Sequence, residues 1–234
     1  MLVPGAFNAL SARVIEDLGF EAIYVTGAGV TNMWFGMPDQ GFMGLAEIAD
    51  HTARIRDAVE LPLIVDADTG FGNALNVRHT VRVLERAGAD CIQFEDQVAP
   101  KRCGHFAGKE VISTEEMVGK IKAAVDARHD PDLLIMARTD ACAVHGFEAA
   151  IERAHKFGEA GADILFVEAV TTADEIRAAA AFAQAPADEH GDRRQNPDLR
   201  HRRAGRAGLR HRAVCQRRVA GRAGGHAESP DRAA

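Results

Sequence analysis

The chain has 234 residues, 47% hydrophobic and 26% charged, with a net charge of −6. That composition describes one globular domain, a length a single β/α barrel can use in full, and it excludes collagen-like and disulfide-scaffold classes. No apolar run approaches the ~20 residues of a membrane span, and the first residues lack the basic start and apolar core of a signal peptide, so a cytoplasmic protein is expected.

Short apolar runs alternate with amphipathic segments along residues 1–186. A short strand is expected near Leu2–Ala6, followed by strands at Ala22–Thr26, Leu63–Ala67, Cys91–Phe94, Leu133–Ala137 and Ile164–Val167. Their near-continuous apolar character is that of strands buried on both faces. Helices are expected between them at Ala9–Leu18, Leu45–Val59, Val77–Ala87, Thr114–Ala127, Phe147–Ala160 and Ala173–Ala183, with Ser113 and Thr172 at N-cap positions. One stretch repeats: Ala87-Gly-Ala-Asp-Cys-Ile-Gln-Phe-Glu95 recurs as Ala160-Gly-Ala-Asp-Ile-Leu-Phe-Val-Glu168. Strands alternating with helices imply a parallel sheet with right-handed crossovers. The expected fold is α/β, a (β/α)8 TIM-type barrel of which about six βα units are present.

Residues 187–234 differ in kind. Residues 1–186 carry 16 Lys+Arg and 28 Asp+Glu, whereas the tail carries 12 Arg, 6 Asp+Glu, no Lys and no aromatic residue. Its large aliphatics are Leu199, Leu209, Val214 and Val219, too few to offset its ordering entropy. Three readings stand: an Arg-rich arm for an anionic surface or nucleic acid, a disordered tail, or a reading-frame shift. Shifted by one base from Asp188, the codons permit Met-Asn-Met-Val-Thr-Gly-Gly-Lys-Thr-Pro, a plausible strand and loop.

Polar residues collect where strands end. They are Thr26-Gly-Ala-Gly29, Asp66-Ala-Asp68, Glu95-Asp96, Arg138-Thr-Asp140 and Glu168. In a β/α barrel these ends share one rim, where such folds keep their chemistry. Asp66 and Asp68, two apart on a strand, are expected to share a face. Paired carboxylates without a local His or Cys suit Mg²⁺ or Mn²⁺ over zinc, with Glu95 the next candidate ligand. After the fourth strand comes Pro100-Lys-Arg-Cys-Gly-His-Phe-Ala-Gly108, where cations flank Cys103 and favour its thiolate. An exposed basic loop with an incidental thiol would look the same. The four cysteines, 91, 103, 142 and 215, show no Cys-x-x-Cys spacing and read as reduced thiols. His51, His79 and His155 read as helix-face groups. Trp34 and Phe35 read as lid or anchor, and Gly27 and Gly29 as a weak phosphate-turn signal.

Asp66-Ala-Asp-Thr-Gly-Phe-Gly-Asn73, Glu95-Asp-Gln97 and Lys101-Arg-Cys-Gly-His105 together resemble the isocitrate lyase/phosphoenolpyruvate mutase superfamily, over Val3 to Arg177. The cysteine loop is most similar to the 2-methylisocitrate lyase branch, with 2,3-dimethylmalate lyases as neighbours. The resemblance implies a Mg²⁺-dependent barrel, tetrameric when intact. By it, Thr26, Gly27 and Ala28 would hold a substrate carboxylate, and Arg138 and Glu168 would contact substrate. Asp66 would ligate the metal, with Asp39, Asp68 and Glu95 around it. Cys103 would be the acid/base, with Lys101, His105 and Arg138 as catalytic neighbours. The implied activity is cleavage of a 2-hydroxy di- or tricarboxylate to a 2-oxo acid and a dicarboxylate. Alternatives are a carboxyphosphonate or phosphoenolpyruvate mutase on the same barrel, and an inactive product with two units missing. The superfamily places Asn and Gly-Gly-(Lys/Arg)-(Thr/Ser)-Pro where this tail begins, which favours the shifted frame over the nucleic-acid arm. The expected partner is a small carboxylate substrate, with no membrane.

Overall fold

The computed structural model of the chain describes residues 1–103 and 108–182, together with a three-residue strand at Ala213–Cys215. Expectations for His105 and for the rest of the tail lie outside the described residues. Seven strands lie in chain order, each parallel to the next: β1 Gly5–Ala6, β2 Ile23–Val25, β3 Leu63–Asp66, β4 Cys91–Glu95, β5 Leu134–Thr139, β6 Ile164–Val167 and β7 Ala213–Cys215. The helices are α1 Ala9–Asp17, α2 Gly27–Val30, α3 Leu45–Ala58, α4 Ala74–Arg86, α5 Thr114–Ala127, α6 Ala141–His145, α7 Phe147–Glu159 and α8 Ala173–Phe182. The six expected strand–helix units are present with ends shifted by up to three residues. Helix α2, which runs on into a π-helical turn at Thr31–Phe35, and α6 were not expected.

Local chemistry explains where the helices begin. Asn8 and Ser11 cap α1 reciprocally, as Asn73 and Asn76 cap α4. Ser113 accepts from the Glu116 amide at 3.1 Å, and Thr172 accepts from the Glu175 amide at 3.1 Å, as the sequence suggested.

The repeated Ala-Gly-Ala-Asp has a structural purpose. Gly88 (φ +96°) and Gly161 (φ +105°) end α4 and α7 in a conformation that favours glycine. Each following Asp then staples the adjacent strand. Asp90 accepts from the Leu63 amide at 2.8 Å and from Arg56 at 3.2 Å. Asp163 accepts from the Ile135 amide at 2.9 Å and from Arg128 at 2.7 Å. Both staples lie at the N-terminal ends of strands, away from the rim.

The sheet has two apolar faces. Ile23, Val25, Leu63, Val65, Ile92, Phe94 and Ile135 pack outward against the helices. Ile64, Cys91, Leu134, Met136, Ile164 and Phe166, with Tyr24, form a separate inner cluster. Above that cluster the inward positions turn polar: Asp66 pairs with Gln93 across β3 and β4, and Glu95 with Arg138 across β4 and β5. An apolar floor therefore carries a buried polar rim.

Candidate active site

The rim holds an unusual density of buried charge. Asp39, Asp66, Asp68, Glu95, Asp140 and Glu168 are all buried, as are Lys101, Lys109 and Arg138. Carboxyls outnumber cations two to one, which low-dielectric surroundings do not tolerate without protons or a further cation.

Asp66 and Asp68 do converge. An atom built onto Gly27 would sit 3.1 Å from Asp66 Oδ2 and 3.4 Å from Asp68 Oδ1. The reason is not the strand alternation expected from sequence. Strand β3 stops at Asp66, and Asp68 adopts φ +46°, a left-handed turn that swings its side chain back. The Glu95 amide on Asp68 O (2.9 Å) and the Asp68 amide on Asp66 Oδ1 (3.2 Å) hold that turn. Gln93 Nε2 and the Gly27 amide also face Asp66, at 3.4 and 3.3 Å. The Gly27 N–H is thus committed to a carboxylate, which removes it from the phosphate turn suggested by Gly27 and Gly29. Thr26 caps α2 by accepting from the Gly29 amide at 3.2 Å, with Ala28 in the first turn of that helix.

Lys101 joins distant elements. Its Nζ lies 2.6 Å from Asp39 Oδ2 and 2.9 Å from Asp68 Oδ1. Burial opposes its charge, but Asp68, Asp66, Glu95 and Asp39 together hold its pKa above the ordinary lysine value. Asp39 is thereby tied to a lysine as well as facing the candidate metal carboxylates. Burial, reinforced by Asp66, pushes Asp68 up to about 7 despite Lys101. Burial likewise raises Glu95 well above the usual carboxylate range, with Arg138 opposing it. Glu95 Oε1 and Glu168 Oε2 are buried without a hydrogen bond, whereas Asp68 Oδ1 faces the Lys101 ammonium.

Arg138 forms the second cluster. It grips Asp140 with two bonds, Nε to Oδ2 at 2.9 Å and Nη2 to Oδ1 at 3.1 Å. Its Nε also lies 3.4 Å from Glu95 and its Nη2 3.8 Å from Glu168, while its guanidinium stands 5.4 Å over the Phe166 ring. Lys109 Nζ reaches the same Asp140 at 2.7 Å. Lys109 escaped the sequence reading, because a lysine eight residues past Lys101 carries no signal of its own, and Asp140 was marked there only as a polar strand end.

Cys103 is a half-buried thiol whose backbone amide donates to Asp39 O at 3.0 Å. The start of the strand-four loop, up to Cys103, therefore lies along the same rim. His51 touches the Phe7 carbonyl and packs on Trp34, which stacks on Phe35 at 5.7 Å. His79 and His155 are exposed.

The donors left over are carboxylate oxygens, two of them, Glu95 Oε1 and Glu168 Oε2, buried without a hydrogen bond, and they suit a hard divalent cation. Among the described residues no group of three or more His, Cys, Asp or Glu stands as a ready-made metal cage. Asp66 and Asp68 supply the convergent pair, and Lys101 occupies part of the negative field.

Comparison with known proteins decides the family. The phosphoenolpyruvate phosphomutase family profile matches residues 1–205. The chain belongs to the isocitrate lyase/phosphoenolpyruvate mutase superfamily. It is 51% identical to a 2,3-dimethylmalate lyase of Eubacterium barkeri over 177 residues, 76% of this chain and 61% of that one. It is 54% identical to a 2-methylisocitrate lyase of Aeropyrum pernix over 186 residues, 80% of this chain and 59% of that one. The chain thus spans about 60% of the length of these relatives. The fold matches a crystal structure of 2,3-dimethylmalate lyase with a TM-score of 0.75 at 35% identity, covering 91% of this chain and 72% of that one. It also matches a phosphonopyruvate hydrolase complexed with oxalate and Mg²⁺, with a TM-score of 0.69 at 36% identity, covering 78% and 62%. The superfamily structures are TIM barrels, and the parallel β/α order expected from sequence agrees with them. No helix among the described residues is long and apolar enough to cross a membrane.

Proposed function

We propose that this chain is a carbon–carbon lyase acting on a 2-hydroxy di- or tricarboxylate of the 2-methylisocitrate type, releasing a 2-oxo acid and a dicarboxylate. The observation that carries the proposal is Cys103, a thiol residue tied through its amide to Asp39 at the edge of a rim that also presents Arg138. A lyase needs such a pairing: a cation for the charge released on bond breaking, and an acid to quench it.

Asp66 and Asp68, with Glu95 and Asp39 nearby, would hold Mg²⁺. When bound, the ion supplies Lewis acidity at the substrate's hydroxyl and adjacent carboxylate. Thr26, Gly27 and Ala28 line the approach for a second carboxylate. The hydroxyl proton passes to a rim carboxylate and a C=O bond forms. The neighbouring C–C bond breaks, and its electron pair moves onto the departing fragment as a doubly charged aci-carboxylate. Arg138 faces that charge, with Glu168 setting the guanidinium from the other side. Cys103 delivers its proton to the carbanion carbon, and Lys101, two residues away in the chain, adds positive charge.

The test is turnover of 2-methylisocitrate and 2,3-dimethylmalate with Mg²⁺, followed by reduction of the 2-oxo acid with NADH. Phosphonopyruvate serves as the competing substrate. A Cys103→Ser variant should lose at least a hundredfold in kcat with the substrate KM little changed. Full activity in that variant, or turnover of phosphonopyruvate alone, would overturn the lyase assignment in favour of the mutase reading.

A further inference from the structure

Glu95 and Asp96 are adjacent in sequence and opposite in purpose. Glu95 faces the rim, whereas Asp96 points to the helix side of the sheet and is fully buried there. Its Oδ1 accepts from the Asp140 amide at 2.9 Å. Its Oδ2 accepts from Thr139 Oγ1 at 2.7 Å and from Arg153 Nε at 2.9 Å. The backbone of Asp140 is thus fixed from behind by the carboxylate that Arg153 neutralises. The side chain of Asp140 faces forward and grips both Arg138 and Lys109.

Arg153, on α7, has further partners. Its Nη2 donates to the Ile112 carbonyl at 2.7 Å and its Nη1 to Thr114 Oγ1 at 3.1 Å, while the guanidinium stands over Phe157 at 5.8 Å. Residues 111–112 are where the chain returns from the stretch bearing Lys101, Cys103 and Lys109. There Gln97 bridges to Val111, and the Ile112 amide donates to Asp96 O at 2.9 Å. One guanidinium therefore ties the end of β5 to the base of the post-β4 loop, and each bears part of the rim.

Resting on the lyase reading above, we propose that Arg153 is a positioning residue: through Asp96 it sets the Arg138–Asp140–Lys109 cluster and the seat of the loop, without touching substrate. The role demands arginine. Three planar donors serve three separate acceptors, and a lysine ammonium cannot span them. Without the guanidinium, the Asp96 carboxylate loses its charged partner and the Ile112 carbonyl and Thr114 Oγ1 lose their donor, so the Asp140 end and the loop base are no longer held together.

The experiment compares Arg153→Met and Arg153→Lys with Arg128→Met in the full chain. Arg128 makes a similar Arg–Asp pair with Asp163 at the far end of the barrel. Hydrogen exchange at the Asp140 amide should speed up at least tenfold in Arg153→Met and stay within twofold in Arg128→Met. The Kd for oxalate with Mg²⁺, and the KM for 2-methylisocitrate, should rise at least tenfold in Arg153→Met. Arg153→Lys should fall between wild type and Arg153→Met, and Arg128→Met should stay within twofold. Unchanged exchange at Asp140, or equal losses in Arg128→Met at matched melting temperature, would overturn the proposal. If wild type neither turns over substrate nor binds oxalate, the lyase reading falls, and the exchange measurement still decides the role of Arg153.

Discussion

Asp140 is the rim carboxylate with the most cationic company. Burial alone would raise its pKa, but Arg138 and then Lys109 outweigh it and hold the pKa below the ordinary aspartate value. A depressed native pKa means the native state holds the charged form more tightly than the unfolded chain does. The stabilisation is fully present above the unfolded value of about 3.9 and is lost as pH falls through the native one. Urea midpoints measured from pH 6 to pH 2 should therefore fall more steeply below about pH 4 in wild type than in Asp140→Asn. Equal slopes would show that the ion cluster is energetically idle. A second single-residue effect concerns Gly29. A Cβ there would stand 2.6 Å from Thr26 Cγ2 and 3.2 Å from Phe7 Cβ. Gly29→Ala should cost about 1–3 kcal/mol, read as a lowered urea midpoint, because the turn that carries Thr26 must shift to admit the methyl group.

At the scale of elements, the barrel divides into a stapled end and a charge-rich end. The Asp90 and Asp163 staples fix the starts of neighbouring strands using Arg56 of α3 and Arg128 just past α5. Neither approaches the rim. Arg128→Met should lower stability by about 1–3 kcal/mol, because Asp163 loses its charged partner and keeps only the strand amide. Turnover per folded molecule should stay as in wild type, and urea unfolding beside steady-state kinetics separates the two quantities. At the rim the same residue types serve differently. The left-handed turn at Asp68 and the Lys101 link to Asp39 are held by neighbours from several strands and loops, not by local sequence.

At the scale of the molecule, the inward rim carboxyls Asp39, Asp66, Asp68, Glu95, Asp140 and Glu168 outnumber the cations Lys101, Lys109 and Arg138 that face them and leave a net negative interior at one end. A ligand pair that supplies a dication and fills the Arg138 side should relieve it. Anything that binds the native state alone stabilises it by RT ln(1 + [L]/Kd), about 2.7 kcal/mol at a hundredfold excess over Kd. For a chain of this length that corresponds to a rise of roughly 5–11 °C in Tm. Mg²⁺ with oxalate should produce such a rise, and Asp66→Asn should abolish it. A Tm indifferent to both ligands would argue against a metal-assisted carboxylate site.

The sequence by itself determined the order and type of the six strand–helix units, though not the short helices α2 and α6. Apolar runs, caps and the Ala-Gly-Ala-Asp repeat are encoded within a few residues, and helix and strand periodicity is a local property. It also marked strand ends as the place where charge collects, since Asp66, Glu95, Arg138 and Glu168 break otherwise apolar strands. What only the tertiary structure decided is direction and partnership. Glu95 and Asp96 are neighbours with opposite faces, and Asp68 reaches Asp66 by a left-handed turn in place of strand alternation. Lys101 finds Asp39 across 62 positions of chain, Lys109 finds Asp140 across 31, and Arg153 finds Asp96 across 57. The physical reason is that a buried ion pair forms wherever the packed core leaves an unmatched charge. That place is set by how strands curve and helices stack, which no local pattern of residues records.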